Sequence, residues 1–440
     1  MIALPPLSLY IHVPWCVRKC PYCDFNSHAA GPVLPEADYV AALLADLRQD
    51  LALDLVQGRE IRSIFIGGGT PSLFSPAAYE QLFDGLRREL RFADDIEITL
   101  EANPGTVEQA KFQGYRALGI NRLSIGVQSF APDKLQALGR IHGRDEAVRA
   151  AEAARAAGFD NFNLDLMHGL PDQTVEEALA DLRQAVALAP THLSWYQLTI
   201  EANTAFYREP PVLPEDDTLW AIQEEGLALL ADAGYRQYEV SAYAQPGREC
   251  RHNRNYWEFG DYLAIGAGAH GKVTRLGATA GGADGASAAG LTGVLAEQGG
   301  LPPTAAVPAR NPGEEQSREG GEVLRGAQAL LLREGGVWRY AKTRQPRDYL
   351  AARDSGRFSA SAGFVEEGAL VFEFMLNALR LREGVPAALF TARTGLSLAA
   401  LAPQLAALRA EGLLVADESR LACTPVGFNY LNSVLQDFLD

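Results

Sequence analysis

Cys16, Cys20 and Cys23, in the run WCVRKCPYCDF, follow a CxxxCxxC spacing that suits one tight metal site. Three thiolates can hold three irons of a cubane iron–sulfur cluster and leave the fourth iron open to another ligand, which makes that iron a reaction site. A zinc site is the local alternative, but zinc motifs usually add a second Cys/His pair downstream, and the later cysteines, Cys250 and Cys423, are isolated. A disulfide framework fits poorly in a chain of 440 residues with five cysteines. The opening run MIALPPLSLYIHVPWC has neither the basic region nor the apolar core of a secretory signal, so a reduced, cytoplasmic location is expected.

Other candidate groups follow along the chain. Gly67, Gly68 and Gly69 precede Thr70 and Pro71, and absent side chains let backbone amides approach a charged group; a glycine triplet alone is more often just a turn. Glu101, Gln128, Arg140 and Asp165 each follow a strand or enter a loop. A carboxylate can hold ribose hydroxyls or an ammonium, and an arginine can fork onto a carboxylate. Taken singly, each is as readily a structural loop ligand. His252 lies in CRHNRNYWEFGDYLAIGAGAHGK beside Asn253, Tyr256 and Trp257, and His270 sits in the glycine-rich end of the same segment. His252 is either a metal ligand or a histidine satisfying a buried loop, and the His270 loop is equally a second cofactor-pocket group or a tight closure of the barrel. His12 reads as a residue of its strand.

The elements that must position these groups repeat. From Leu7 to about Val240, short β-rich runs alternate with alanine- and leucine-rich helical stretches. The expected strands are SLYIHV, SIFIGG, IEITLE, RLSIGV, NFNLDLMH and HLSWYQL, with ADYVAALLADLRQDLA and DEAVRAAEAARAAG among the helices between them. This pattern predicts an α/β fold, a partial (β/α)6 TIM-like barrel whose site gathers at the carboxyl ends of the strands. Residues 1–275 are expected to form this core. Residues 276–325, rich in Gly, Ala and Pro, lack the apolar content to fold alone and read as a flexible insert. Residues 326–440 form a C-terminal domain ending in helix, short strand, turn, short strand, helix, the order of a winged-helix-like module. No cluster of Lys or Arg marks a DNA-reading helix there.

The formal net charge of −16 argues against nucleic acid as a partner, because phosphate neutralisation needs a basic face. At 48% hydrophobic composition the chain can bury one large core and a smaller one.

Together the cysteine loop, the GGGTP turn and the later motifs resemble the radical S-adenosylmethionine (SAM) superfamily, in which CxxxCxxC binds a [4Fe-4S] cluster whose open iron is chelated by SAM. The resemblance implies SAM contacts at Tyr10, Tyr22, Gly68, Gly69, Thr70, Glu101, Gln128, Arg140 and Asp165, as in the oxygen-independent coproporphyrinogen III oxidase branch. The oxidases carry a further cysteine two positions after the third; this chain has Phe25 there. The HNxxYW run from His252 to Trp257 instead resembles the haem-chaperone family of that branch and implies His252 as a haem contact. The expected function is haem binding and transfer to acceptor haemoproteins, some of them respiratory and membrane-associated. A low-potential electron donor would be needed if SAM is cleaved. The alternative is an oxidase that decarboxylates porphyrinogen propionates.

Overall fold

A computed structural model describes residues 2–105, 109–276 and 335–439; the segment expected as an insert lies outside these residues apart from Leu276. All six expected strands are present: β1 (Leu7–Val13), β4 (Ile61–Gly68), β5 (Phe92–Ala102), β6 (Arg122–Gln128), β7 (Phe162–His168) and β8 (His192–Gln197). Each pairs parallel to the next. Two short strands, β2 (Trp15–Cys16) and β3 (His28–Ala29), lie between β1 and the first long helix.

The strands form because apolar residues alternate with small or polar ones, so a period of two gives each strand one greasy and one polar face. Leu7, Leu9, Ile11 and Val13 of β1, Ile64 and Ile66 of β4, and Ile98 and Leu100 of β5 join one buried core with helix residues such as Leu43, Leu47, Leu82 and Leu86. Each large aliphatic side chain buried there contributes about 1.5–3 kcal/mol. The alternate residues, including Tyr10, His12, Glu97, Glu101, Ser124 and Asp165, are left for the inner face.

The sheet continues beyond the six strands. On one side, β11 (Asp261–Ile265) pairs parallel with β1 and is followed antiparallel by β12 (His270–Arg275), β13 (Gly336–Lys342) and β14 (Ser359–Phe364). On the other, β10 (Ala242–Ala244) pairs antiparallel with β8 and with β9 (Arg236–Glu239). One twelve-stranded sheet thus runs across residues on both sides of the expected insert. A second core gathers Leu370, Phe374, Phe390, Leu405 and Val434 against Tyr238, Cys250 and Phe259. Among the described residues no helix is long and apolar enough to cross a membrane.

Candidate functional site

The cysteine loop is an arch closed at its base. β2 pairs parallel with β3, and the backbone N–H groups of His28 and Ala30 donate to Pro14 O at 2.7 Å and Cys16 O at 2.8 Å. Inside the arch, Cys23 N donates to Cys20 O at 3.3 Å. Asn26 ties the arch to the rest of the fold, its Nδ2 donating to Ala267 O and Arg344 O, both at 2.9 Å. All three thiols are half-buried. Burial raises the Cys16 and Cys23 thiols above the ordinary thiol value, and repulsion from the other loop cysteines adds to it, so the sulfurs share one electrostatic neighbourhood. Iron would have to displace those protons, since the thiolate is the ligand form.

The glycine turn presses against this arch. A Cβ on Gly68, whose φ is +114°, would lie 2.5 Å from the His12 ring, and one on Gly69 would lie 2.6 Å from Trp15 O. The absent side chains let Gly69 N reach Val13 O at 2.8 Å and Thr70 N reach Trp15 O at 2.7 Å. His12 is the wedge between turn and arch: its Nδ1 accepts from Tyr10 Oη at 2.7 Å, while its Nε2 donates to Asn26 O at 2.8 Å. Burial lowers it to about 4, so it is neutral at pH 7. It remains a structural residue, as its sequence context implied.

Beside the turn lies a polar pocket. Glu101 Oε2 accepts from Gly68 N at 3.1 Å. Burial, and then the neighbouring Asp165 carboxylate, push Glu101 up to about 8. Asp165, itself raised by burial, accepts from Ser124 Oγ at 3.0 Å and Asn163 Nδ2 at 2.8 Å. Gln128 ends β6 in the left-handed region at φ +64°, and its buried Oε1 has no partner among the described residues. Asp181 braces this strained turn, accepting from Ser129 Oγ at 2.6 Å and Phe130 N at 2.7 Å. Arg140 donates through Nη2 to Asn103 Oδ1 and Gly126 O, both at 2.7 Å, and through Nη1 to Cys20 Sγ at 3.7 Å. Asn103 Nδ2 completes the chain to Thr70 Oγ1 at 3.0 Å. A cavity of about 430 Å³, bordered by Cys20, Thr70, Asn103, Gly105 and Arg140, opens here, within the size range of small-molecule sites. Tyr22 packs in an apolar cluster with Leu138, Met167 and Phe206, its ring 6.4 Å from that of Phe206.

The chain's own geometry therefore fits a cluster with a bound cosubstrate. Three thiols share one arch, glycines leave room for backbone donors, and buried polar atoms on Gln128 and Arg140 (Oε1 and Nε) have no partner among the described residues. Asn103, which the sequence reading did not single out, is the link between turn and arginine. Its signal was its place two residues after Glu101 at the end of a strand.

His252 lies elsewhere, at the floor of the partial barrel. It is the second residue of the helix Arg251–Trp257 and is 4% exposed. Its ring stacks on Phe65 at 4.2 Å, and its Nδ1 lies 3.1 Å from Glu97 Oε1 and 3.0 Å from Cys250 Sγ. Glu97 also accepts from Arg251 N at 3.1 Å. Burial opposes the Glu97 charge, but the His252 hydrogen bond and Arg122 prevail and hold the carboxyl at about 2. Burial lowers His252, so the contact is a neutral imidazole donating to a carboxylate. An iron atom could take Nδ1 only if the bond to Glu97 broke.

Comparison with known proteins agrees with this arrangement. The Radical SAM superfamily model matches residues 10–185, and the HemN C-terminal domain model matches residues 367–429. Heme chaperone HemW of Escherichia coli K12 is 49% identical over 439 residues, with 100% of both chains covered. Heme chaperone HemW of Haemophilus influenzae is 47% identical over 441 residues, covering 100% of this chain and 99% of that one. The solved structure of E. coli coproporphyrinogen III oxidase (HemN) superposes with a TM-score of 0.72 over 99% of this chain and 90% of that one, at 21% identity, which is a likeness of fold. The strand order, the three-cysteine arch and full-length identity near one half place this chain in the HemW family of the radical SAM superfamily.

Proposed function

We propose that this protein is a haem chaperone, which binds haem and transfers it to acceptor haemoproteins in the cytoplasm or at a membrane, and which holds a [4Fe-4S] cluster and SAM. The observation that carries the reading is the full-length likeness to proteins named heme chaperone HemW, joined to an exposed Phe25 at the position where the oxidase pattern has a cysteine. In this reading Cys16, Cys20 and Cys23 ligate the cluster. Thr70, Asn103 and Arg140 fix the pocket wall beside Cys20, and Gly68 and Gly69 offer close backbone approach. Glu101, Gln128 and Asp165 supply polar contacts, Tyr10 acts through His12, and Tyr22 closes the apolar side. When bound, a cluster with SAM supplies one-electron chemistry, and its use would require a low-potential donor protein. Residues 1–275 carry the cofactors, with β13 and β14 of the expected C-terminal unit extending the same sheet. His252, expected as a haem contact, is buried with Nδ1 bonded to Glu97 and Nε2 3.3 Å from Cys250 Sγ, so iron reaches it only if the packing around the ring opens.

The test is transfer. Haem-loaded protein mixed with an apo-haemoprotein should pass on its haem, read as the acceptor's spectrum appearing while the donor's fades. Under reductant and SAM, coproporphyrinogen should remain unconverted. Formation of the decarboxylated product, or no haem binding by the full chain, would overturn the reading.

A further inference from the structure

A haem iron needs an imidazole nitrogen that it can reach, and the seven histidines of the chain differ sharply in this respect. Five are buried: His12, His142, His168, His192 and His252. Of these, His12 is held by Tyr10 and Asn26, His142 by Val127 O, His192 by Asn163 and Tyr238, and His252 by Glu97 at Nδ1 with Cys250 Sγ beside Nε2, while His168 has no Nδ1 partner among the described residues but lies buried against Trp195. His28 is half-buried, with Nε2 3.3 Å from Asn26 Oδ1. His270 alone is exposed, and its ring has no hydrogen bond among the described residues.

Its setting is built. β11 runs parallel to β1, so the turn from Gly266 to Ala269 that delivers His270 lies at the strand end that carries the cysteine arch. The turn is fixed from two sides. Asp46 and Tyr349 accept from Gly266 N at 3.2 and 3.0 Å, and Asn26 of the arch donates to Ala267 O. His270 pairs with Ala341 near the end of β13, just before Arg344. Crowding, then the charges of Arg339 and Arg344, lower His270, which keeps the imidazole in the neutral form that ligates metals. Arg344 is exposed and its carbonyl is bonded to Asn26, so it borders both the turn and the arch. Next to Asn26 in the chain, Phe25 is 60% exposed, an unusual position for a large apolar ring.

We propose that His270, Arg344 and Phe25 form an outward-facing haem-binding subsite beside the cysteine arch, with His270 ligating the iron. The inference rests on the haem-chaperone reading and names a site for its cargo. The three groups answer three parts of haem: the imidazole takes the iron, the guanidinium pairs with a propionate, and the phenyl ring lies against the apolar macrocycle. Ligation forms one Fe–N bond as water leaves the ferric iron, with no change of oxidation state. A site at the surface also suits cargo that must be handed on.

The experiment is titration of the full chain with haemin, before and after anaerobic cluster reconstitution, read by absorption and electron paramagnetic resonance. His270→Ala should weaken binding by about tenfold or more and remove the nitrogen-ligated spectrum. Added imidazole should restore that spectrum in His270→Gly. Arg344→Glu should weaken binding and leave the spectrum unchanged. Because His270 and Arg344 are exposed, cluster content should match the parent in all three. If His270→Ala binds haemin like the parent with the same spectrum, or if His252→Ala alone abolishes the nitrogen-ligated spectrum, the subsite is wrong. A parent that binds no haemin would instead overturn the chaperone reading, and the subsite with it.

Discussion

The strand-end face and the floor of the partial barrel are lined by the same kinds of side chain, yet they bond them to different degrees. At the floor, Glu97 accepts from Arg251 N and His252, Cys250 closes on the same pair, and His192 is bonded through both nitrogens. At the face, Gln128 sits in a left-handed conformation, its amide oxygen and Arg140 Nε have no partner among the described residues, and Glu101 is pushed to about 8 by burial and by Asp165. Backbone strain and unsatisfied buried groups persist only where surrounding structure enforces them, and such places are commonly functional. The floor is more densely bonded, though Arg122 Nε and Trp257 Nε1 there are also without partners among the described residues, and a well-bonded polar network rigidifies a core. The floor bonds hold the helix of the HNxxYW run in place, whereas at the face a left-handed strand end and orphaned polar atoms lie beside an open cavity.

The sharpest break between the two regions should come from the cysteines. Replacing Cys16, Cys20 or Cys23 with Ala should abolish cluster assembly, measured as iron and sulfide content after anaerobic reconstitution. Cys250→Ala and Cys423→Ala should keep full content, although both are buried. Next, Arg140→Lys should lower SAM affinity by about tenfold or more by calorimetry. A lysine cannot bond Asn103, Gly126 and Cys20 at once in the planar fork that arginine provides.

At the floor, His252→Ala should act on stability and leave SAM affinity unchanged. Loss of its bond to the Glu97 carboxylate should cost about 1.5–3 kcal/mol, seen in denaturant unfolding. The Glu97 contribution has a definite pH window: its folded value is depressed from 4.5 to about 2, so the stabilisation is present above 4.5 and lost as pH falls toward 2. Glu101 moves the other way, from 4.5 to about 8. Stability drawn from its protonated form is lost as pH rises through that range, so Glu101→Gln should raise the melting temperature of the ligand-free protein above pH 8 and change it little near pH 5. Equal melting temperatures at pH 9 would show that the carboxyl is not held protonated.

Much of this was legible in the chain because strand alternation is a local signal. SLYIHV and RLSIGV show their period of two directly, and the cysteine spacing needs no tertiary information. The antiparallel extensions were harder to see: β10 has three residues, and β13 is separated from its partner β12 by about sixty positions. His252 illustrates the stronger limit. The motif marks it as a ligand candidate, but its partner Glu97 lies 155 positions earlier, so burial and engagement of the ring arise only when β5 meets the helix. Asn103 escaped notice because an Asn before Pro reads as a turn residue. Only the folded chain brings Thr70 and Arg140 to its two ends.

Amide hydrogen exchange with and without SAM, on the anaerobically reconstituted protein, tests most directly whether the open face is where this chain takes its cosubstrate. Protection should appear in the arch from Cys16 to Ser27, in the turn from Gly67 to Pro71, and around Asn103, Gln128 and Arg140, with the floor helix Arg251–Trp257 unchanged. Protection centred on that helix and on β5 near Glu97, with the arch and turn unaffected, would contradict the account.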